Sequence, residues 1–185
     1  AVEALTRLAP VGLEYAEQPV PSIEGLAEVR RRLQGAGTPV PIAADESVRK
    51  ETDPLRVARA EAADLIVVKV APLGGVRRAL DIVAQAGLPA VVSSALDTSV
   101  GIRAGLALAA ALPDLPYACG LGTVSLFASD VTLDPLVADD GAIRLRDVAA
   151  DAGLLERFAA PAERRDWWLD RLRRVHALLT PSIAP

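Results

Sequence analysis

Four polar residues close four apolar runs of this chain: Glu17 in EYAEQP, Asp45 in IAADES, Lys69 in LIVVKVAPLGG and Ser93 in PAVVSSA. They follow one another at intervals of 28, 24 and 24 residues. Lysine is almost never left among β-branched residues unless something holds it there. Two carboxylates and an ammonium around one cavity form a recognisable chemical set. The carboxylates supply the oxygen ligands that a hard cation such as Mg²⁺ takes. A lysine desolvated beside them can act as acid or base, or offset negative charge on a substrate. Any one charged residue at a strand end is ordinarily just solvated. Three at matching places in consecutive runs make a candidate site. Ser93 and Ser94 read as oxyanion or carboxylate contacts, or as plain strand-end hydroxyls; the residues alone favour the second.

The elements that must position these groups alternate. Residues 11–19, 40–47, 64–71 and 89–95 read as strands, and 116–122 reads as a weaker fifth. The run DLIVVKVA is continuously apolar up to its lysine, as expected of a strand covered on both faces. The first residues, VEALTRL, read as helix. Ser22 caps a helix in which Ile23, Leu26, Val29 and Leu33 recur at helical spacing, ending at Gly35 or Gly37. Asp53 is the expected N-cap of the next helix, with Pro54 at its first position. Further helices are expected over 75–87 and 98–112.

Strand and helix alternating at this interval imply parallel strands with crossover helices. The regular return of a polar residue at each strand end favours a (β/α) barrel, whose strand C-termini share one mouth. A dinucleotide-binding sheet is the competitor, but no GxGxxG fingerprint is present. The expected fold is therefore α/β, a partial (β/α) TIM-type barrel over residues 1–129. After it the pattern changes. Residues 130–147 read as a hairpin turning at Asp140-Gly141. Residues 161–179 read as an amphipathic helix with Trp168, Leu172, Val175 and Leu179 on one face. Residues 130–185 should form a C-terminal unit that packs on something other than the barrel's own helices.

Composition narrows the function classes. A net charge of −4 and a pI near 5.1 argue against a nucleic-acid partner. No apolar run is long enough for a membrane span, and no leader pattern opens the chain. One cysteine, Cys119, and one histidine, His176, leave too few soft ligands for zinc and too few groups for serine–histidine hydrolysis. The lone thiol excludes an internal disulfide and fits a cytoplasmic setting.

Taken in order, EYAEQP, IAADES, LIVVKVAPLGGV and VVSSALDTSVGI resemble the enolase superfamily, in its muconate-lactonizing-like branch. Within that branch they are most similar to the o-succinylbenzoate synthase family of menaquinone biosynthesis. The resemblance covers roughly residues 1–150. It implies a (β/α)₇β barrel with a capping domain, of which this chain carries family strands 4–8. Glu17 and Asp45 match metal ligands for Mg²⁺ or a similar cation such as Mn²⁺, and Lys69 matches the sixth-strand catalytic lysine. Ser93, Ser94, Gly120 and Gly122 match substrate-pocket segments. The hairpin matches the return toward the capping domain, and the substrate is a small-molecule carboxylate.

The departures are specific. The family pattern also has a Lys-x-Lys pair on the second strand and an Asp ligand on the third. Neither is present; Lys50 is the only other lysine. The chain begins with Ala1 inside a helical pattern. It is therefore expected to be the C-terminal part of a dehydrating lyase, partnered by an upstream half with the capping domain and strands 1–3. An N-acylamino acid or dipeptide racemase of the same superfamily is one alternative. A non-catalytic half-barrel needing a partner is another.

Overall fold

The computed structural model describes residues 1–38 and 40–179. Its elements are α1 (Val2–Leu8), β1 (Ala16–Glu17), α2 (Ile23–Gly35), β2 (Ile42–Ala44), α3 (Asp53–Arg59), β3 (Leu65–Val68), α4 (Val76–Ala86), β4 (Ala90–Val92), α5 (Ser99–Ala111), α6 (Ala152–Arg157) and α7 (Ala162–Leu179). The four strands are all parallel and lie in sequence order, β1-β2-β3-β4. Sequential order is what a barrel requires; a doubly wound sheet reverses direction at a switch point.

Strand parity sorts the apolar residues into two layers. Ile42, Ala44, Ile66, Val68, Ala90 and Val92 pack with Leu26, Val29 and Leu33 of α2, Val57 of α3, Ala79 and Ile82 of α4, and Ile102 and Leu108 of α5. Ala43, Leu65, Val67 and Val91 form a separate inner cluster. Tyr15 and Tyr117 pack against this inner layer and meet edge to face, ring centroids 5.4 Å apart. Because successive side chains alternate, residues 17, 45, 69 and 93 share the inner parity with 43, 67 and 91.

Helix ends follow local chemistry. The Ser22 hydroxyl accepts from Gly25 N at 3.0 Å, as expected of an N-cap. Gly87 closes α4 in the left-handed region, φ 65°, which costs glycine little. At α3 the expectation needs correction. Thr52 is the cap position and Asp53 is already helical, its carboxylate instead accepting from Lys50 N at 2.9 Å.

The strands are shorter than their apolar runs. Residues 9–11 form a 3₁₀ turn and Gly12 is left-handed, so the first run yields only Ala16–Glu17. The expected fifth strand is reduced to Gly120, which bridges Ser93. Pro113 and Pro116 flank its start, and proline cannot donate to a ladder. The expected hairpin is likewise reduced to one bridge, Asp139 to Ala142. Its turn is as read, with Asp140 at φ 47° and Gly141 at φ 74°, the pair of positive angles a type I′ turn needs. The short helix α6 was not foreseen; Asp151 caps it through Leu154 N. Helix α7 forms over the expected span, and Trp168, Leu172, Val175 and Leu179 are exposed along it. Residues 180–185 of the expected C-terminal unit lie outside the described residues.

One buried polar lock ties the segment after the barrel to α5. The Asp130 carboxylate accepts from Ser99 N, the Ser99 hydroxyl and Val131 N. The same hydroxyl accepts from Leu136 N at 2.7 Å. Ser99 is fully buried. Ser99→Ala strands the Leu136 N–H, and an unpaired buried donor costs about 1–3 kcal/mol. An unfolding free energy lowered by that amount, read as a lower denaturant midpoint at unchanged m, is the expected result; an unchanged midpoint would show that the lock does not stabilise the fold.

Candidate functional site

Parity puts Glu17, Asp45, Lys69 and Ser93 on one face, and register puts them at one level. Glu17 pairs with Ala43, two residues before Asp45. Ala43 pairs with Leu65, so Asp45 falls beside Val67, two residues before Lys69. Val68 pairs with Val92, so Lys69 falls beside Ser93. This stagger is the shear of a tilted barrel sheet. It is the reason residues 24 to 28 positions apart meet at one rim.

Lys69 Nζ bonds Asp45 Oδ1 across the ends of β2 and β3. Both side chains are largely enclosed, 16% and 12% exposed. In such surroundings a lone ammonium would be strongly penalised, and the facing carboxylate offsets that penalty. Glu17 stands beside this pair and is more exposed. Its carboxyl is raised from its ordinary value by burial first and by the Asp45 charge next, with a hydrogen bond that the protonated Glu17 donates to Asp45, while Lys69 pulls it back.

Lys69 also lines a cavity of about 110 Å³ with Ser93, Ser94, Ala95 and Asp97. The Ser94 hydroxyl bonds Gly120 O and Thr123 Oγ1, each at 2.9 Å. Gly120 has no room for a side chain: a Cβ there would lie 2.7 Å from Ser93 Oγ. Gly120 therefore lets the last strand segment approach Ser93 closely. Gly122 lines a different groove, with Leu106 and Cys119, on the far side of Leu121. Cys119 is half-buried, its thiol pushed up by burial. Lys50 is exposed in the turn before α3.

Several rim residues carried no signal strong enough to be singled out in the sequence. Gln18, between Glu17 and Pro19, is the clearest. Thr123 and Asp97 are others.

The sequence pattern of the family described as Enolase C-terminal domain-like matches residues 1–154. The chain belongs to that family. It is 56% identical over 180 residues to the o-succinylbenzoate synthase of Mycolicibacterium smegmatis, covering 97% of this chain and 54% of that protein. It is 52% identical over 182 residues to the o-succinylbenzoate synthase of Mycobacterium tuberculosis, covering 98% of this chain and 53% of that protein. Muconate lactonizing enzyme from Pseudomonas putida superposes with a TM-score of 0.74 at 27% identity, covering 86% of this chain and 46% of the other. The chain thus spans about half the length of the curated relatives it matches. The relatives named above match it across nearly its whole length, α7 included, although the family pattern stops at residue 154.

Members of the enolase superfamily generally use a divalent metal ion. The donor chemistry here fits part of such a site. Glu17 and Asp45 carry oxygen donors of the type a hard cation takes, close enough for the charge on one to hinder ionisation of the other. Among the described residues no third His, Cys, Asp or Glu joins them.

The raised Glu17 carboxyl gives a signed expectation in metal-free buffer. With the folded value above the unfolded one, the unfolded chain ionises first as pH rises. Stability therefore falls through the window between the two values and stays lower above it. Glu17→Gln removes this loss. The melting temperature of the variant in chelator should exceed that of the parent at neutral pH and converge with it in acid; a lower neutral melting temperature would contradict the cause given.

Proposed function

We propose that this chain is the C-terminal part of an o-succinylbenzoate synthase, a carbon–oxygen lyase that dehydrates a small carboxylate through an enediolate. The observation that carries the reading is the convergence of Glu17, Asp45 and Lys69 at one strand-end rim. The relatives named above, more than half identical along almost the whole chain, support the choice of reaction.

The chemistry assigns each group a task. Glu17 and Asp45 hold Mg²⁺, or Mn²⁺ in its place. Bound there, the cation supplies positive charge against the substrate carboxylate and makes its α proton easier to remove. Removal of that proton sends an electron pair onto the carboxylate as an enediolate. Collapse of the enediolate breaks the bond to the leaving hydroxyl, which departs as water with the proton that the base removed, and the substrate's ring becomes aromatic. Lys69 lies beside the accumulating charge. Asp45 engages one of its three N–H donors; the others are available to a substrate carboxylate in the cavity that Lys69 lines. Enclosure by the strand residues keeps water out and makes each such contact worth more. Ser93 and Ser94 form the wall on the β4 side of that cavity, Gly120 backs them by accepting from the Ser94 hydroxyl, and Gly122 lies further along the same segment.

The remaining groups belong to an upstream half carrying the capping domain and barrel strands 1–3. Those groups are the proton-abstracting lysine and a third carboxylate. Residues 1–129 then form the barrel part, and residues 130–185 lie toward the capping side. The unpartnered apolar stripe of α7 supports that placement.

Lys69→Ala in the whole protein should lower kcat by about 10²–10³, the usual loss for one donor aimed at a developing oxyanion. Lys69→Arg should not restore it, since a planar guanidinium cannot occupy the compact place of an ammonium. Turnover near normal in Lys69→Ala would remove Lys69 from the reaction. The purified 185-residue chain, assayed with Mg²⁺, should show no synthase turnover by itself and gain it when the upstream half is added. Racemisation of N-acylamino acids without dehydration would assign the other reaction of the superfamily instead.

A further inference from the structure

The residue next to Glu17 is built into the rim more tightly than Glu17 itself. Gln18 has φ 38°, in the left-handed region that non-glycine residues avoid at a cost of order 1–3 kcal/mol. Its backbone N–H still pairs with Ala43 O at 2.8 Å. Its side chain then crosses to the end of β2. Oε1 accepts from Asp45 N at 2.9 Å and Ser47 N at 3.3 Å. Nε2 donates to Val20 O at 2.8 Å and Ser47 Oγ at 2.9 Å. Both donors and both acceptor sites of the amide are thereby used.

These bonds clamp the two strand ends that carry the two carboxylates. One end is fixed through the Gln18 backbone, which immediately follows Glu17. The other is fixed through the Asp45 N–H. An ordinary strand continuation would send residue 18 toward the outer helices; the positive φ redirects it across the rim. A side chain with four satisfied bonds, held on a strained backbone between two charged groups, fits a positioning device better than a packing element.

We infer that Gln18 is a positioning residue that sets the separation and aim of the Glu17 and Asp45 carboxylates for a divalent cation, a role that rests on those carboxylates being its ligands. Outer-shell partners of this kind typically alter metal affinity by 10–100-fold.

The test uses the whole protein containing this chain, with Mn²⁺ as the probe, read by electron paramagnetic resonance and calorimetry without substrate. Asp45→Ala serves as the control for the reading beneath. Gln18→Met keeps the side-chain volume and deletes all four bonds. Gln18→Gly also deletes them, but adopts a positive φ without strain. It therefore meets any purely structural need of the backbone, and it keeps the test open where Gln18→Met does not fold. The expected result is loss of Mn²⁺ binding in Asp45→Ala and a Kd for Mn²⁺ weakened about 10–100-fold in both Gln18 variants. The melting temperature of Gln18→Gly in chelator should fall less than that of Gln18→Met, because glycine takes the positive φ without strain. A parental Kd in Gln18→Gly, with Asp45→Ala binding abolished, overturns the positioning role and leaves the metal reading intact. Unchanged Mn²⁺ binding in Asp45→Ala overturns the metal reading, and the Gln18 role with it.

Discussion

An ammonium and a carboxylate facing each other across two parallel strand ends organise this molecule. Lys69 follows a run of four fully or almost fully buried residues, and a charge there is costly without a partner. Asp45 supplies the partner only because β2 and β3 are offset by two residues in register. A one-residue slip would turn one of the pair toward the outer helices and leave the other charge unpaired. The pair and the register therefore depend on each other. Glu17 is drawn into the same field by the matching offset between β1 and β2.

Around that pair the structure separates two kinds of work. The outer layer, where α2 to α5 cover the even-numbered strand residues, is wholly apolar and supplies the burial that holds the sheet. Polar groups cross between segments at this end of the sheet: Gln18 to Asp45 and Ser47 and Ser94 to Gly120 and Thr123 at the strand ends, and Asp130 to Ser99 at the start of α5. Each joins residues 26 to 31 positions apart. Such bonds add little net burial but fix geometry, and fixed geometry is what charge stabilisation demands. Gly120 contributes by absence, since any side chain would push Ser93 out of line.

The inner layer is small: Ala43, Leu65, Val67 and Val91, with Tyr15 and Tyr117 meeting over it. In a closed barrel such inward residues interdigitate with those of facing strands. The chain spans about half the length of the curated relatives it matches, and α7 carries an exposed apolar stripe that starts at Trp168. Apolar surface of that extent on a helix ordinarily marks a place of contact.

Much of this was legible in the residues. Continuous β-branched runs separated by capped helical segments determined a parallel α/β order, and the interval of about 24 residues pointed to a barrel. The return of a polar residue at each strand end pointed Glu17, Asp45, Lys69 and Ser93 to one mouth, because the C-termini of parallel barrel strands face the same way. Strand lengths were overread. An apolar run records burial, whereas a ladder also needs a partner, and the 116–122 and 130–147 segments each keep a single bridge. The Asp53 cap was misplaced by one residue because the preceding turn, which no pattern announced, took its carboxylate. Gln18 was overlooked for a deeper reason. Its role comes from a backbone angle and from acceptors nearly thirty residues away, and both are set by the register between strands. Sequence pointed to which groups share one mouth; only tertiary structure decided which of them touch, because stagger is a property of paired strands and of no single segment.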